Sequence, residues 1–335
     1  MRSPSTKYDA FLLVSFGGPE GLEDVLPFLR NVLKGRNVPE ERMLAVAHQY
    51  ELFGGRSPIN EQNRRLISAL SNVIEFDGPR LPIYWGNRNW HPLLADTVKQ
   101  MADDGIKRAI AFVTAGYSSY SSCRQYLENI EDARYAAGAN APQIDKIRPF
   151  YNHPDFIATN ADNLIAAFES LSEQWGRETE IIFTAHSICQ SMADKCRYVE
   201  QLQESACLTV REAKLTNKWR MAYQSRSGTP NQSWLEPDIN LCIKEIGQNK
   251  GKNVVLAPIG FVSDHMEILY DLDTQAKQLC EELDIGYARA KTAGTHPRFI
   301  SMINNLVMEK IAMAQENNGS IVNDEFCFRN CCLQG

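Results

Sequence analysis

The chain has 335 residues, 44% of them hydrophobic and 23% charged, and carries a net charge of −6 with no basic tract. This composition excludes a disordered chain, a collagen-like repeat and a small disulfide-stapled fold, and the length suggests about two domains. A mildly acidic chain is also a poor candidate for general nucleic-acid binding.

The N-terminus reads MRSPSTKYDAFLLVSFGGPEG. Its apolar run, residues 11–16, is short, contains Ser15 and leads into glycines rather than a cleavage site. It is read as a buried first strand, not a signal peptide. No apolar stretch approaches the ~18 residues that span a bilayer. A cytoplasmic location is expected, with loose contact to a membrane surface or to another enzyme of the same pathway left open. The nine cysteines are odd in number and mostly scattered, as expected of reduced thiols. The exception is the terminal CFRNCC, with Cys327, Cys331 and Cys332.

Helical spacing follows at 22–33, and again at 60–74, which opens on Asn60 as an N-cap. Strands are predicted at 81–87 and 108–116, and helices at 92–105 and 122–138. After a linker at 140–155, the pattern starts again. Helices are predicted from 154 and at 195–215, 238–250, 266–284 and 297–315, with strands at 180–187, 219–225, 253–262 and 285–294. Nearly continuous apolar strands alternating with helices indicate α/β architecture with parallel sheets. The expected organisation is an N-terminal domain at 1–150, a C-terminal domain at 151–320 and a cysteine-containing tail at 321–335.

In open parallel sheets, ligands bind at the carboxyl ends of the strands. SFGGPE, WGNRNWHP, TAGYSSYSS, TAHSICQS, YQSRSG and PIGFVSDHMEILYD all sit there. His186 follows the strand EIIFTA, where an imidazole can take a proton or bind a metal; a buried hydrogen-bonded histidine is the alternative. Residues 260–273 crowd Asp264, His265, Glu267, Asp271 and Asp273 into a strand-to-helix junction. A helix starting near Asp264 would put Glu267 and Asp271 on one face, and Asp264 with Glu267 also fits a capping box. His186, Glu267 and Asp271 together could hold a divalent cation, without the spacing of a closed zinc site.

The loops GGPE and FGGRSPIN lack the phosphate-binding glycine signatures, so their glycines are read as turn formers. Aromatics at the strand ends, among them Phe16, Tyr126, Trp234 and Phe261, could lie against a planar apolar ligand. Arg88, Ser121 and Ser122 could bind carboxylates on its rim.

Taken together, LLVSFGGPE, GGRSPIN, FTAHSICQSMAD, YQSRSG…WLEPDI and PIGFVSDHMEILYDLD resemble the ferrochelatases, in family order from about residue 8 to 315. SFGGPEG with YWGNRNWHP is similar to the actinobacterial-type enzymes, which insert iron into coproporphyrin III. The resemblance implies two flavodoxin-like domains with a porphyrin cleft between them, and insertion of Fe2+ with release of two protons in haem biosynthesis. It makes His186 the essential histidine, Glu267 its acidic partner and Asp271 an outer acidic position leading metal inward. Phe16 takes a position where some relatives carry a tyrosine or methionine over the porphyrin, Tyr126 is a cleft tyrosine, and Ser121 and Ser122 are propionate contacts.

The sequence departs from the family at two places. Gln275 stands where many relatives have a further acidic residue. Some members hold a [2Fe–2S] cluster on three C-terminal cysteines, for which Cys327, Cys331 and Cys332 are candidates, and one internal cysteine, which 153–165 lacks. Protoporphyrin IX as substrate, a non-catalytic tetrapyrrole-binding protein, and a hydrolase using Cys189 are the competing readings. A monomer is the default.

Overall fold

The computed structural model of the chain describes residues 8–35, 38–171, 178–227, 232–248, 252–316 and 332. All six residues of β1 (Ala10–Ser15) are buried, because an apolar strand without alternation must be covered on both faces. It lies at the centre of a parallel sheet, between β2 (Ile83–Asn87) and β3 (Arg108–Val113), with β4 (Gln143–Lys146) outside β3. The second sheet repeats the plan. β5 (Thr179–His186) is central, β6 (Trp219–Gln224) and β7 (Asn253–Ala257) flank it, and β8 (Gly286–Arg289) lies beyond β7, all parallel.

Helices cover the sheets. In the first half they are α1 (Leu22–Val32), α2 (Glu40–Glu51), α3 (Ile59–Phe76), α4 (Leu94–Asp103) and α5 (Gln125–Ala137). Then come α6 (Pro154–Ser170), the single turn α7 (Gln190–Ala193), α8 (Tyr198–Glu212), α9 (Ile239–Gly247), α10 (Lys277–Glu282) and α11 (Pro297–Glu316). Two π-helical segments, Tyr120–Arg124 and Ile268–Ala276, lead directly into α5 and α10. One face of β1 and β3 packs Leu12, Val14 and Ala111 on Val98, Met101 and Ile130. The matching face of the second sheet packs Ile182, Val254 and Leu256 on Ile243, Ile246 and Leu272.

Several expectations are corrected. The segment expected to be a linker contains β4, whose Asp145 is buried against Arg108 at 2.8 Å, and α2 went unpredicted. Asn60 is not a cap: it lies inside α3, fully buried, donating to the carbonyls of Gly18 and His91 at 3.2 Å each. The domain boundaries also move. The first compact unit comprises Met1–Ala115, Tyr120–Pro149 and Phe299–Cys332, and the second comprises Gly116–Ser119, Phe150–Arg298 and Leu333–Gly335. Most of α11, expected in the C-terminal domain, therefore returns to the first unit. There Phe299 meets Phe112 edge-to-face and Glu309 pairs with Arg148 at 2.9 Å.

Candidate active site

In the second unit, β5 carries His186 to the last rung of its ladder with β6, opposite Gln224. The chain leaving β7 then lies directly on β5. Gly260 N–H donates to the Thr184 carbonyl at 3.0 Å, and a Cβ on Gly260 would sit 2.6 Å from that of Ala185. Only glycine over alanine allows this approach. The chain continues to His265, whose Nδ1 accepts the Glu267 N–H at 3.2 Å and so caps the helical turn that opens at Met266. Glu267 is thereby delivered with its Oε1 3.4 Å from His186 Nε2.

The helical turn opens two residues after Asp264, and His265 rather than Asp264 caps it. The Asp264 carboxylate is taken up by Arg289 at 3.3 Å and by the Thr292 hydroxyl at 3.1 Å, and Asp273 is held by the same arginine at 2.6 Å. Asp264 and Asp273 are thus structural, while Glu267 and Asp271 converge on the region of His186. Asp271 Oδ2 accepts from the Ser225 hydroxyl and, at 3.4 Å, from Gln224 Nε2. The same Gln224 nitrogen donates to the Glu267 backbone carbonyl at 3.0 Å.

The tautomer of His186 follows from its partners. Its Nδ1 meets the Ser187 carbonyl oxygen. A carbonyl can only accept, so Nδ1 carries a hydrogen; Nε2 faces the Glu267 carboxylate, also an acceptor, which favours the protonated ring, and Nε2 offers a lone pair once that proton is lost. Burial alone would lower the His186 pKa. The Glu267 carboxylate outweighs it, and the net direction is upward. Burial would raise Glu267, but His186 and His265 hold it below the ordinary carboxylate value. Burial pushes the His265 pKa down. Asp271 is raised to about 6, chiefly by burial. The His186 and Glu267 side chains remain 31% and 41% exposed, so small molecules can reach them.

Phe261 packs edge-on against the His265 ring at 4.7 Å. Trp234 pairs its backbone with Cys189, and its buried indole N–H has no partner among the described residues. Gln224 and Ser225 were not among the predicted site residues, although they follow Tyr223 in YQSRSG at a strand's carboxyl end, and His265 was noted in the junction without a role.

The first unit gathers a different set. The Arg88 guanidinium lies 5.9 Å from the Phe16 ring and 5.4 Å from the Tyr126 ring, and donates to the Ser121 carbonyl at 3.4 Å. Both stacks are cation–π contacts. Ser121 and Ser122 lie in the π-helical segment that precedes α5, half-buried. Tyr126 is buried, and burial raises its phenol pKa. The two glycine loops brace each other: Glu20 bridges to Arg56, and a Cβ on Gly55 would come within 2.5 Å of the Leu22 backbone.

Cys327 and Cys331 lie outside the described residues, and Cys332 is buried in the first unit. Among the described residues no three His, Cys, Asp or Glu side chains gather into a metal-holding group, so the expected cation set of His186, Glu267 and Asp271 is not assembled, and the described thiols do not form a four-thiolate set. Among them too, no helix is long and apolar enough to cross a membrane.

Comparison with known proteins extends these observations. A family model described as ferrochelatase matches residues 8–311. A ferrochelatase of Rhodopirellula baltica is 53% identical, covering 97% of this chain and 93% of its own length. A coproporphyrin III ferrochelatase of Streptomyces coelicolor is 46% identical, covering 91% and 86%. Among solved structures, SirB from Bacillus subtilis with Fe3+ superposes with a TM-score of 0.58 at 10% identity, covering 92% of this chain and 98% of its own; at that identity it speaks to the chelatase fold alone. With the family matched over nearly the whole length and curated relatives agreeing end to end, the chain belongs to the ferrochelatases, lyases that insert Fe2+ into a porphyrin in haem biosynthesis.

Proposed function

We propose that this chain inserts Fe2+ into coproporphyrin III, with His186 as the base and Glu267 as its charge partner. The observation that carries the assignment of residues is the orientation of His186, with Nδ1–H tied to Ser187 and Nε2 turned to Glu267 at 3.4 Å. The choice of porphyrin rests on relatives named coproporphyrin III ferrochelatases at 39–46% identity.

A flat porphyrin keeps its nitrogen lone pairs and N–H bonds in one plane. Bending the ring exposes both, and contacts along the rim can support the strain. Two pyrrole protons must leave as Fe2+ enters. His186 Nε2 takes a proton from a pyrrole nitrogen, and the imidazolium so formed is stabilised by Glu267. Glu267 holds its charge too strongly to store a proton. Asp271, raised to about 6, is the better relay to solvent near neutral pH. His186 and Glu267 would offer entering ferrous iron one imidazole and one carboxylate, ligands it accepts, with Asp271 further out and held by Ser225 and Gln224. On the first unit, Arg88, held by Phe16, Tyr126 and the Ser121 carbonyl, is a cation for a porphyrin carboxylate. Ser121 and Ser122 are its neighbouring donors, and Trp234 and Phe261 of the second unit supply apolar contact surface.

The test is His186→Ala. Metal insertion is expected to fall to background while porphyrin binding, read by fluorescence quenching, persists; full turnover would remove the assignment, and binding without turnover in the native chain would favour a tetrapyrrole carrier. Parallel turnover of coproporphyrin III and protoporphyrin IX decides the substrate. A [2Fe–2S] cluster on Cys327, Cys331 and Cys332 is an additional reading for the tail, tested by iron and acid-labile sulfide analysis of anaerobic protein. A cytoplasmic monomer is the accompanying expectation, tested by cell fractionation and sedimentation.

A further inference from the structure

Two segments distant in sequence must be held in register for His186 and Glu267 to stay 3.4 Å apart. One is the end of β5, and the other is the chain leaving β7. Each has a backbone carbonyl capped by a buried phenol. Tyr198, the first residue of α8, donates to the His186 carbonyl at 3.1 Å. Tyr117 donates to the Ile259 carbonyl at 3.0 Å, immediately before the Gly260 crossing of β5. The two rings meet edge-to-face at 6.2 Å, and both residues are nearly inaccessible, at 5% and 3% exposure.

Tyr117 lies in the short strap Gly116–Ser119. The strap follows β3 in the chain but belongs to the second unit. It is fastened there by Gln201, one turn along α8 from Tyr198. The Ser118 N–H donates to Gln201 Oε1 at 2.7 Å, and Gln201 Nε2 donates to the Ser118 hydroxyl at 3.0 Å. Positions 198 and 201 share one face of α8, so a single helix face holds His186 directly and Ile259 through the strap. Neither phenol hydroxyl is placed to meet a substrate. Each spends its hydrogen on a carbonyl of the segment that bears a reacting side chain.

We propose that Tyr117 and Tyr198 are positioning residues: a clamp across the second unit that sets the His186–Glu267 separation and through it the rate of metal insertion. The proposal rests on the assignment of that pair as the reacting groups. Its physical basis is that small misplacements of oriented groups cost rate steeply.

The experiment measures steady-state insertion of Zn2+ into coproporphyrin III by Tyr198→Phe, Tyr117→Phe and Gln201→Ala, with His186→Ala alongside. Tyr8→Phe is the control: it removes a buried phenol hydroxyl from the first unit, where it donates to Asp145 at 2.8 Å. The two clamp Phe variants are expected to lose about 5- to 20-fold in kcat, with porphyrin KM within about twofold. Gln201→Ala should lose less in the same direction, and Tyr8→Phe should keep kcat. A merely structural role would lower melting temperature in all of the Phe variants alike without separating their kcat values. Unchanged kcat in Tyr198→Phe, or an equal loss in Tyr8→Phe, overturns the clamp. If Tyr117→Phe does not fold, Tyr198→Phe and Gln201→Ala decide. If His186→Ala turns over normally, it is the underlying assignment that has failed, whatever the tyrosine variants do.

Discussion

The two units share one plan and differ in what they hang on it. Their sheets have the same strand order, and in both a π-helical segment follows the third strand of that order in sequence, Tyr120–Arg124 after β3 and Ile268–Ala276 after β7. The last rungs correspond as well: Ser15 opposite Asn87 in the first, His186 opposite Gln224 in the second. Yet the first unit ends its strands with a guanidinium between two aromatic rings, and the second ends them with an imidazole, two carboxylates and the amide and hydroxyl that hold them. Architecture delivers side chains to the carboxyl edge in either case. Their identity decides what chemistry that edge could support, proton exchange at the second and attraction of charge at the first in the proposed reading. π-Helical segments widen the helix by one residue per turn and often occur at functional sites, and here the second one begins just after Glu267.

The sharpest way to break the comparison is to remove the charge from the second unit. Glu267→Gln keeps shape and hydrogen-bonding capacity but no longer stabilises the imidazolium. kcat should fall by about 10²–10³-fold, the range of a lost acid–base component. The pH profile should move too. His186 must be neutral to accept a proton, so activity in the native chain rises as pH passes its raised pKa. Without the carboxylate, burial dominates and lowers that pKa, so the acid limb should shift to lower pH. Stability follows the same linkage. The raised His186 contributes below the ordinary imidazole pKa and loses its contribution as pH rises through the raised value. The depressed Glu267 contributes above the ordinary carboxylate pKa and loses it on acidification. An acid limb that stays in place in Glu267→Gln would mean that another group controls the rate.

The first unit should answer differently. Arg88→Ala removes a charge-assisted contact, worth about 10-fold or more in binding. Porphyrin KM should rise by about that factor, kcat should stay within about threefold, and the pH limb should not move. Loss of kcat at constant KM would erase the division of labour between the two units.

How much of this was legible beforehand differs by residue. β1, β5 and β7 announce themselves, because strands covered on both faces must be apolar almost throughout. Once they were placed, the rule that ligands lie at carboxyl ends pointed to His186 and Glu267. β4 was not legible: its QIDK carries two charged residues, and it belongs in a sheet only because Arg108 neutralises Asp145 and Tyr8 donates to it. α2 was missed because its apolar periodicity is weak, with Leu44 left 48% exposed. Asp264 and Asp273 looked no different from Glu267 and Asp271 until Arg289, from a later strand, claimed the first pair. Sequence proximity lists the carboxylates of a junction, but only tertiary partners sort those held by Arg289 from those that converge on His186. The return of α11 to the first unit is invisible for the same reason, since it depends on Phe112 and Arg148 far upstream.

The smallest expected effect tests the supports of the second unit rather than its reacting groups. Ser225 sits at a φ of 61°, in the left-handed region, and donates to Asp271. Ser225→Ala keeps the Cβ and therefore the same backbone preference, so only the hydroxyl is lost. That hydroxyl lowers the Asp271 pKa against the burial that raises it to about 6. Removing it should raise the carboxyl further and leave more of it protonated at neutral pH. An acid that is already protonated neither attracts a cation nor relays a proton, so the KM for Zn2+ should rise by about two- to threefold, consistent with loss of one modest hydrogen bond. The defect should be larger at pH 6 than at pH 8, where Asp271 ionises even without the hydroxyl. A uniform defect across that interval would reduce Ser225 to packing and leave Gln224 as the sole support of Asp271 among the described residues.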